Sequence, residues 1–205
     1  MKNLFILGLI CLSMVLVVVS CGQKETAETD TSSTTDLQID ESISLDGIPV
    51  QLAGVTFTPP SIWNDLGPSG MRKASYTFGP DGEDVDSATV TVFHFGQGMG
   101  GSIEANLSRW VGQMTLPEGV TPEEGANIEN ITVNNFSTHI LQVNGSYNTS
   151  AGGMMMGESI VKENYRMVGV VLEAPEGNIF FKLTGPVITA EKMETALMTM
   201  VNGIK

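Results

Sequence analysis

The chain has 205 residues, 10 Lys and Arg against 23 Asp and Glu, and a formal net charge of −13. Nucleic acid is normally met by clustered Lys and Arg, so it is not an expected partner for a chain this acidic. The two cysteines, Cys11 and Cys21, both lie in the first 21 residues, so the fold has to stand on its apolar core without a disulfide.

At the N-terminus, Lys2 supplies a one-charge start, Leu4 to Val19 form a nearly unbroken apolar run, and Val18-Val19-Ser20-Cys21 closes it. The run is short for the roughly 20 residues that cross a bilayer, and a small residue precedes the cysteine. The pattern resembles a bacterial lipoprotein signal. That resemblance implies removal of residues 1–20, acylation of Cys21, and display of the remaining chain on the cell envelope outside the cytoplasm. Gly22 stands where Asp resembles an inner-membrane retention signal, which leans the address toward an outer membrane in a cell that has one. Residues 21–46 are rich in Ser, Thr and acids with few large apolar side chains, the composition of a disordered acidic tether. A flexible segment of this length holds a domain on the order of 25–30 Å from the membrane.

Residues 47–205 contain no second low-complexity break and predict a single globular domain. Strands are expected at 50–57, 73–78, 88–95, 128–133, 136–147, 165–172 and 178–183, where Val, Ile, Thr and aromatics cluster and several segments alternate. Asn134-Asn135 and Ala174 to Gly177 offer tight turns, so neighbouring strands should be antiparallel. Ile103, Leu107, Trp110, Val111 and Met114 form one helical stripe near 102–114, with Ser102 suited to the N-cap. Met193, Leu197, Met200, Val201 and Ile204 form another near 189–203, with Thr189 as the expected N-cap. The fold class is therefore α+β, an antiparallel β-sheet flanked by two main helices.

Between a strand and the first helix, Gly96, Gly98 and Gly101 satisfy G-x-G-x-x-G, but the antiparallel setting lacks the β-α-β unit a dinucleotide needs, and no cofactor is expected. Gly96, Gly98, Gly100 and Gly101 instead leave backbone amides unshielded at a helix start. With Arg109 they form the candidate binding site, suited to an anion or a partner carboxylate. Asp81 to Asp86 holds four acids in six residues but departs from a calcium-loop pattern, and reads as a solvated tip. Met154-Met155-Met156 invites a copper(I) alternative, although consecutive side chains on a strand point to opposite faces. His94 and His139 sit in strand patterns and no G-x-S-x-G elbow occurs, so a hydrolase is the weaker alternative and no catalytic residue is assigned. Arg72, Arg109, Gln113 and Lys182 are the polar residues most worth locating in the fold.

Several segments together resemble a group of uncharacterised bacterial lipoproteins and secreted proteins. They are Met71-Arg72-x-Ala74-x-Tyr76, Val90-x-Val92-Phe93-x-Phe95-Gly96-x-Gly98-x-Gly100-Gly101, Asn106-x-x-Arg109-Trp110-x-x-Gln113 and Phe180-Phe181-Lys182-Leu183-Thr184-Gly185-Pro186. More coarsely, a strand leading into Pro59-Pro60-x-x-Trp63, a central helix and a terminal helix after the last strand are similar to the PsbP-like fold, an α/β/α sandwich. That resemblance implies a non-catalytic module; together with the lipoprotein signal, the expected function is a binding or envelope-assembly role with an envelope protein or glycan as partner.

Overall fold

Alternation along β-branched and aromatic runs decides which side of a sheet each side chain takes. The computed structural model describes residues 39–149 and 160–205. Along these run β1 (Val50–Leu52), β2 (Val55–Phe57), β3 (Asn64–Asp65), β4 (Arg72–Phe78), β5 (Ala88–His94) and α1 (Ile103–Val111). They are followed by β6 (Met114–Thr115), α2 (Pro122–Gly125), β7 (Ala126–Val133), β8 (Phe136–Asn148), β9 (Val161–Leu172), β10 (Ile179–Pro186) and α3 (Val187–Asn202). Eight strands form an antiparallel sheet in the order β3-β4-β5-β10-β9-β8-β6, and β7 pairs with the first part of β8. β1 and β2 form a separate hairpin.

The two faces of this sheet bury different helices. Val168, Val170, Phe181 and Leu183 join Met193, Leu197 and Met200 of α3 in one cluster, whereas Met167, Val171, Phe180 and Leu141 join Leu107 and Trp110 of α1 in another. Adjacent residues such as Val170 and Val171 thus serve opposite cores, which is why the middle of β9 and β10 reads as a continuous apolar run. Each fully buried Leu or Met on α3 contributes about 1.5–3 kcal/mol. Gly169 lies directly under α1: a methyl there would overlap the six-membered ring of Trp110.

Several local expectations change. The expected single strand at 50–57 folds back on itself, because Ala53 and Gly54 take φ of 51° and 82°, the paired positive values of a two-residue hairpin turn. Asn134 and Asn135 turn in the expected way, with φ of 47° and 71°. The first helix stops at Val111 with Gly112 as its C-cap, and Met114 leaves it to pair with Tyr147 as strand β6. Residues 122–125, outside every expected strand and helix, form one helical turn in which the Glu124 carboxylate accepts from the Thr121 amide at 3.1 Å.

β10 runs into α3 without a loop, so Pro186 is the N-cap and Thr189 lies inside the first turn. The capping acceptor comes instead from Asp84, whose carboxylate receives the Thr189 amide at 2.7 Å and its hydroxyl at 2.8 Å. At the other end, the Asn134 side chain donates to the carbonyls of Asn202 and Ile204. Contacts with the core begin ahead of Gly47: Ile43 and Leu45 pack against the α3 cluster, and the Asp40 amide donates to the Thr199 hydroxyl at 3.2 Å.

Candidate functional site

The glycine-rich loop folds as a series of left-handed residues, with φ of 97° at Gly96, 69° at Gly98, 92° at Gly100 and 82° at Gly101. Only Gly100 is hemmed in, since a Cβ there would stand 2.7 Å from the Phe95 ring; Gly96 and Gly98 face open space. Ser102 caps α1 as expected, its hydroxyl oxygen accepting from the Ala105 amide at 3.1 Å. Asn106 is buried and donates to the carbonyls of Gly100 and Ser102, each at 2.8 Å, while its own carbonyl accepts from Arg109. Arg109 is therefore tied through Asn106 to Gly100 and Ser102 at the end of the loop, whereas these bonds do not reach Gly96 or Gly98.

The acidic segment from Asp81 to Asp86 serves as a clip between elements. Asp84 caps α3, the Asp81 carboxylate pairs with Lys192 at 2.7 Å, and Asp86 accepts from Lys162 and from the Tyr165 hydroxyl at 2.7 Å each. These hydrogen bonds hold the Asp86 carboxyl below the usual carboxylate range. Among the described residues no group of three or more His, Cys, Asp or Glu is placed to hold a metal ion. Met154 to Met156 and Cys21 lie outside the described residues.

Both histidines are engaged in the sheet. His94 Nδ1 lies 3.1 Å from the Asn178 carbonyl, and His139 bridges the Asn130 side-chain oxygen at 2.6 Å and Glu173 at 2.9 Å. Across the other face, Arg166 and Gln142 both donate to the buried carboxylate of Glu194, pinning α3 to β8 and β9.

The face beneath α1 carries a different polar group. Lys182 stands on β10 next to the strand position of Gly169, half-buried, and its ammonium donates to the buried Gln113 carbonyl oxygen and sits 5.3 Å from the centre of the Tyr147 ring. Burial pushes its pKa down to about 8, with the nearby Arg109 guanidinium adding repulsion. Tyr147 stacks on Tyr165 at 6.1 Å, and burial raises its pKa while Arg72 opposes the rise. Arg109 and Gln113, four residues apart, thus meet Lys182 from a distant strand on this face, where Tyr147 also lies under the influence of Arg72. Tyr147 itself was not singled out in the sequence, because only the tertiary pairing of β6 with β8 brings it beside Gln113.

An open groove of about 720 Å³ lies further along α1, lined by Val111, Met114, Leu116, Pro122 and Ile128 among others. No helix among the described residues is long and apolar enough to cross a membrane.

No family model matches the sequence, and no curated protein matches it. Among solved structures, the chain is similar to cyanobacterial PsbP from Synechocystis, with a TM-score of 0.43 and 11% identity over 75% of this chain and 86% of that one. It is similar also to a Pseudomonas aeruginosa protein of unknown function, with a TM-score of 0.33 and 12% identity over 76% of this chain and 93% of that one.

Proposed function

We propose that the chain is a lipid-anchored extracytoplasmic module that binds or helps assemble envelope components and carries out no chemistry of its own. The observation that carries this reading is the lipobox Val18 to Cys21, set ahead of an acidic segment and of a domain whose core contacts start near Asp40. The engagement of His94 with the Asn178 carbonyl and of His139 with Asn130 and Glu173 favours binding over hydrolysis, since among the described residues neither imidazole is paired with a Ser, Thr or Cys side chain it could activate. A PsbP-like α/β/α architecture fits the same reading: Trp63 is buried after Pro59-Pro60, α1 and α3 join different cores, and α3 directly follows the last strand. The partner is an envelope protein or glycan, and Gly22 favours the outer membrane.

Metabolic labelling with a fatty-acid analogue tests the anchor. Wild-type chain should take up label and fractionate with membranes, and Cys21→Ser should do neither. Unlabelled wild type, or a labelled and membrane-bound Cys21→Ser chain, refutes it.

A further inference from the structure

We propose that Arg72, Lys182 and Arg109 form a receptor for a multivalent oxyanion on the sheet face beside α1. This goes beyond the anchored-module reading and stands whether or not Cys21 carries a lipid.

The first support is the distribution of charge. In a chain of net charge −13, Lys162, Arg166 and Lys192 each bind a carboxylate at 3.0 Å or less. Arg72, Lys182 and Arg109 form no ion pair among the described residues, although acids outnumber bases more than twofold. Geometry places them on one face: the Lys182 ammonium meets Gln113, four residues beyond Arg109, and the Tyr147 ring, while Arg72 lies opposite Phe93, itself opposite Phe180 on the strand of Lys182. The electrostatic influence of Arg109 on Lys182 and of Arg72 on Tyr147 agrees with this placement. Lys73 and Lys205 also lack a carboxylate partner among the described residues but stand apart from this group, whereas three unpaired cations on one face of an acidic domain keep a positive potential there for a ligand.

The second support is the way the backbone places them. Lys182 is two residues beyond Phe180, which belongs to the α1 cluster, so both side chains take that face. Arg72 is opposite Phe93, of the same cluster, whereas Ala74 is opposite Val92 and belongs to the α3 cluster. Residues two apart on a regular strand share a face; here the register shift between Arg72 and Ala74 separates them and turns Arg72 to the α1 side. A second register shift, between Gly145 and Tyr147, lies where Tyr147 meets Lys182. Two irregularities in an otherwise regular sheet thus flank this cluster.

The third support is cost. A desolvated ammonium beside a guanidinium opposes folding, and an apolar side chain of similar length would avoid the penalty. A buried cation without a carboxylate becomes favourable when an anion supplies the missing charge. Two guanidiniums offer planar paired donors to carboxylate or phosphoryl oxygens, and the ammonium adds a point charge between them. Three positive charges from three elements match a ligand with several anionic groups, a polycarboxylate or a polyphosphate.

The test is calorimetric titration of the full chain in zwitterionic detergent at low salt, with citrate, pyrophosphate and acetate as probes. Citrate or pyrophosphate should bind at least about 100-fold more tightly than acetate, and the preferred one of the two identifies the oxyanion class. Arg72→Gln and Arg109→Gln should each weaken binding at least about tenfold, on the order of 1.4 kcal/mol. Lys182→Met should weaken it more, and Lys192→Gln, which removes a cation paired with Asp81, should leave it unchanged. Both arginines are exposed, so their variants keep the test decisive if Lys182→Met fails to fold. No saturable binding of either polyanion, or binding indifferent to both arginine substitutions, overturns the proposal.

Discussion

Replacing Lys182 by Met tests whether its ammonium is held in the sheet at a cost. Burial and Arg109 lower its pKa to about 8 from the ordinary 10.5. At about 1.36 kcal/mol per unit, the protonated side chain then costs the folded state on the order of 3 kcal/mol. The unfolded chain holds more protons than the native one between these values, so stability rises with pH through that interval. The penalty is fully present below pH 8 and relieved above pH 10.5. Lys182→Met removes the titration and leaves the Gln113 side-chain oxygen Oε1 without its donor, a loss of about 1–3 kcal/mol that does not vary with pH. The stability of wild type minus that of Lys182→Met should therefore climb by about 3 kcal/mol from pH 7 to pH 10.5, whatever its starting sign. Urea unfolding at constant ionic strength, followed by the fluorescence of the buried Trp63 and Trp110, measures both proteins at each pH. A difference that stays flat within about 0.5 kcal/mol, or falls with pH, would refute the desolvation argument.

Two further substitutions examine how the helices are held. Arg166→Ala strands the Glu194 carboxylate between α3 and the sheet and should cost about 3–5 kcal/mol in urea unfolding, whereas replacing Arg166 and Glu194 together by apolar residues should recover most of it. Gly169→Ala drives a methyl into the Trp110 ring, so it should lower stability by about 1–3 kcal/mol and change Trp110 emission, while β-sheet circular dichroism is retained.

Local signals were readable where neighbours in sequence are also neighbours in space. Ser102 caps α1 through the Ala105 amide three residues on, and Asn134-Asn135 turns β7 into β8 with two positive φ values that asparagine tolerates. The α1 stripe of Ile103, Leu107 and Trp110 likewise needed only helical spacing. The stripe misled at Met114, because Gly112 ends the helix and the free edge of β8 takes Met114–Thr115 as a strand. The cap of α3 was out of reach: Asp84 is more than one hundred residues from Thr189, and no local pattern links a loop acid to a helix start that far away.

The sequence by itself determined the class of structure, an antiparallel sheet with amphipathic helices, since period-2 and period-3.6 patterns depend only on residues a few positions apart. It also marked Arg72, Arg109, Gln113 and Lys182 as polar residues amid apolar patterns. Only the tertiary structure decided that these side chains share one face and that, among the described residues, Arg166, Lys162 and Lys192 have carboxylates while Arg72, Arg109 and Lys182 do not. The reason is physical: a register shift of one residue moves a side chain to the opposite face, and these ion pairs form only because the fold brings charged groups from separate segments within 4 Å of each other.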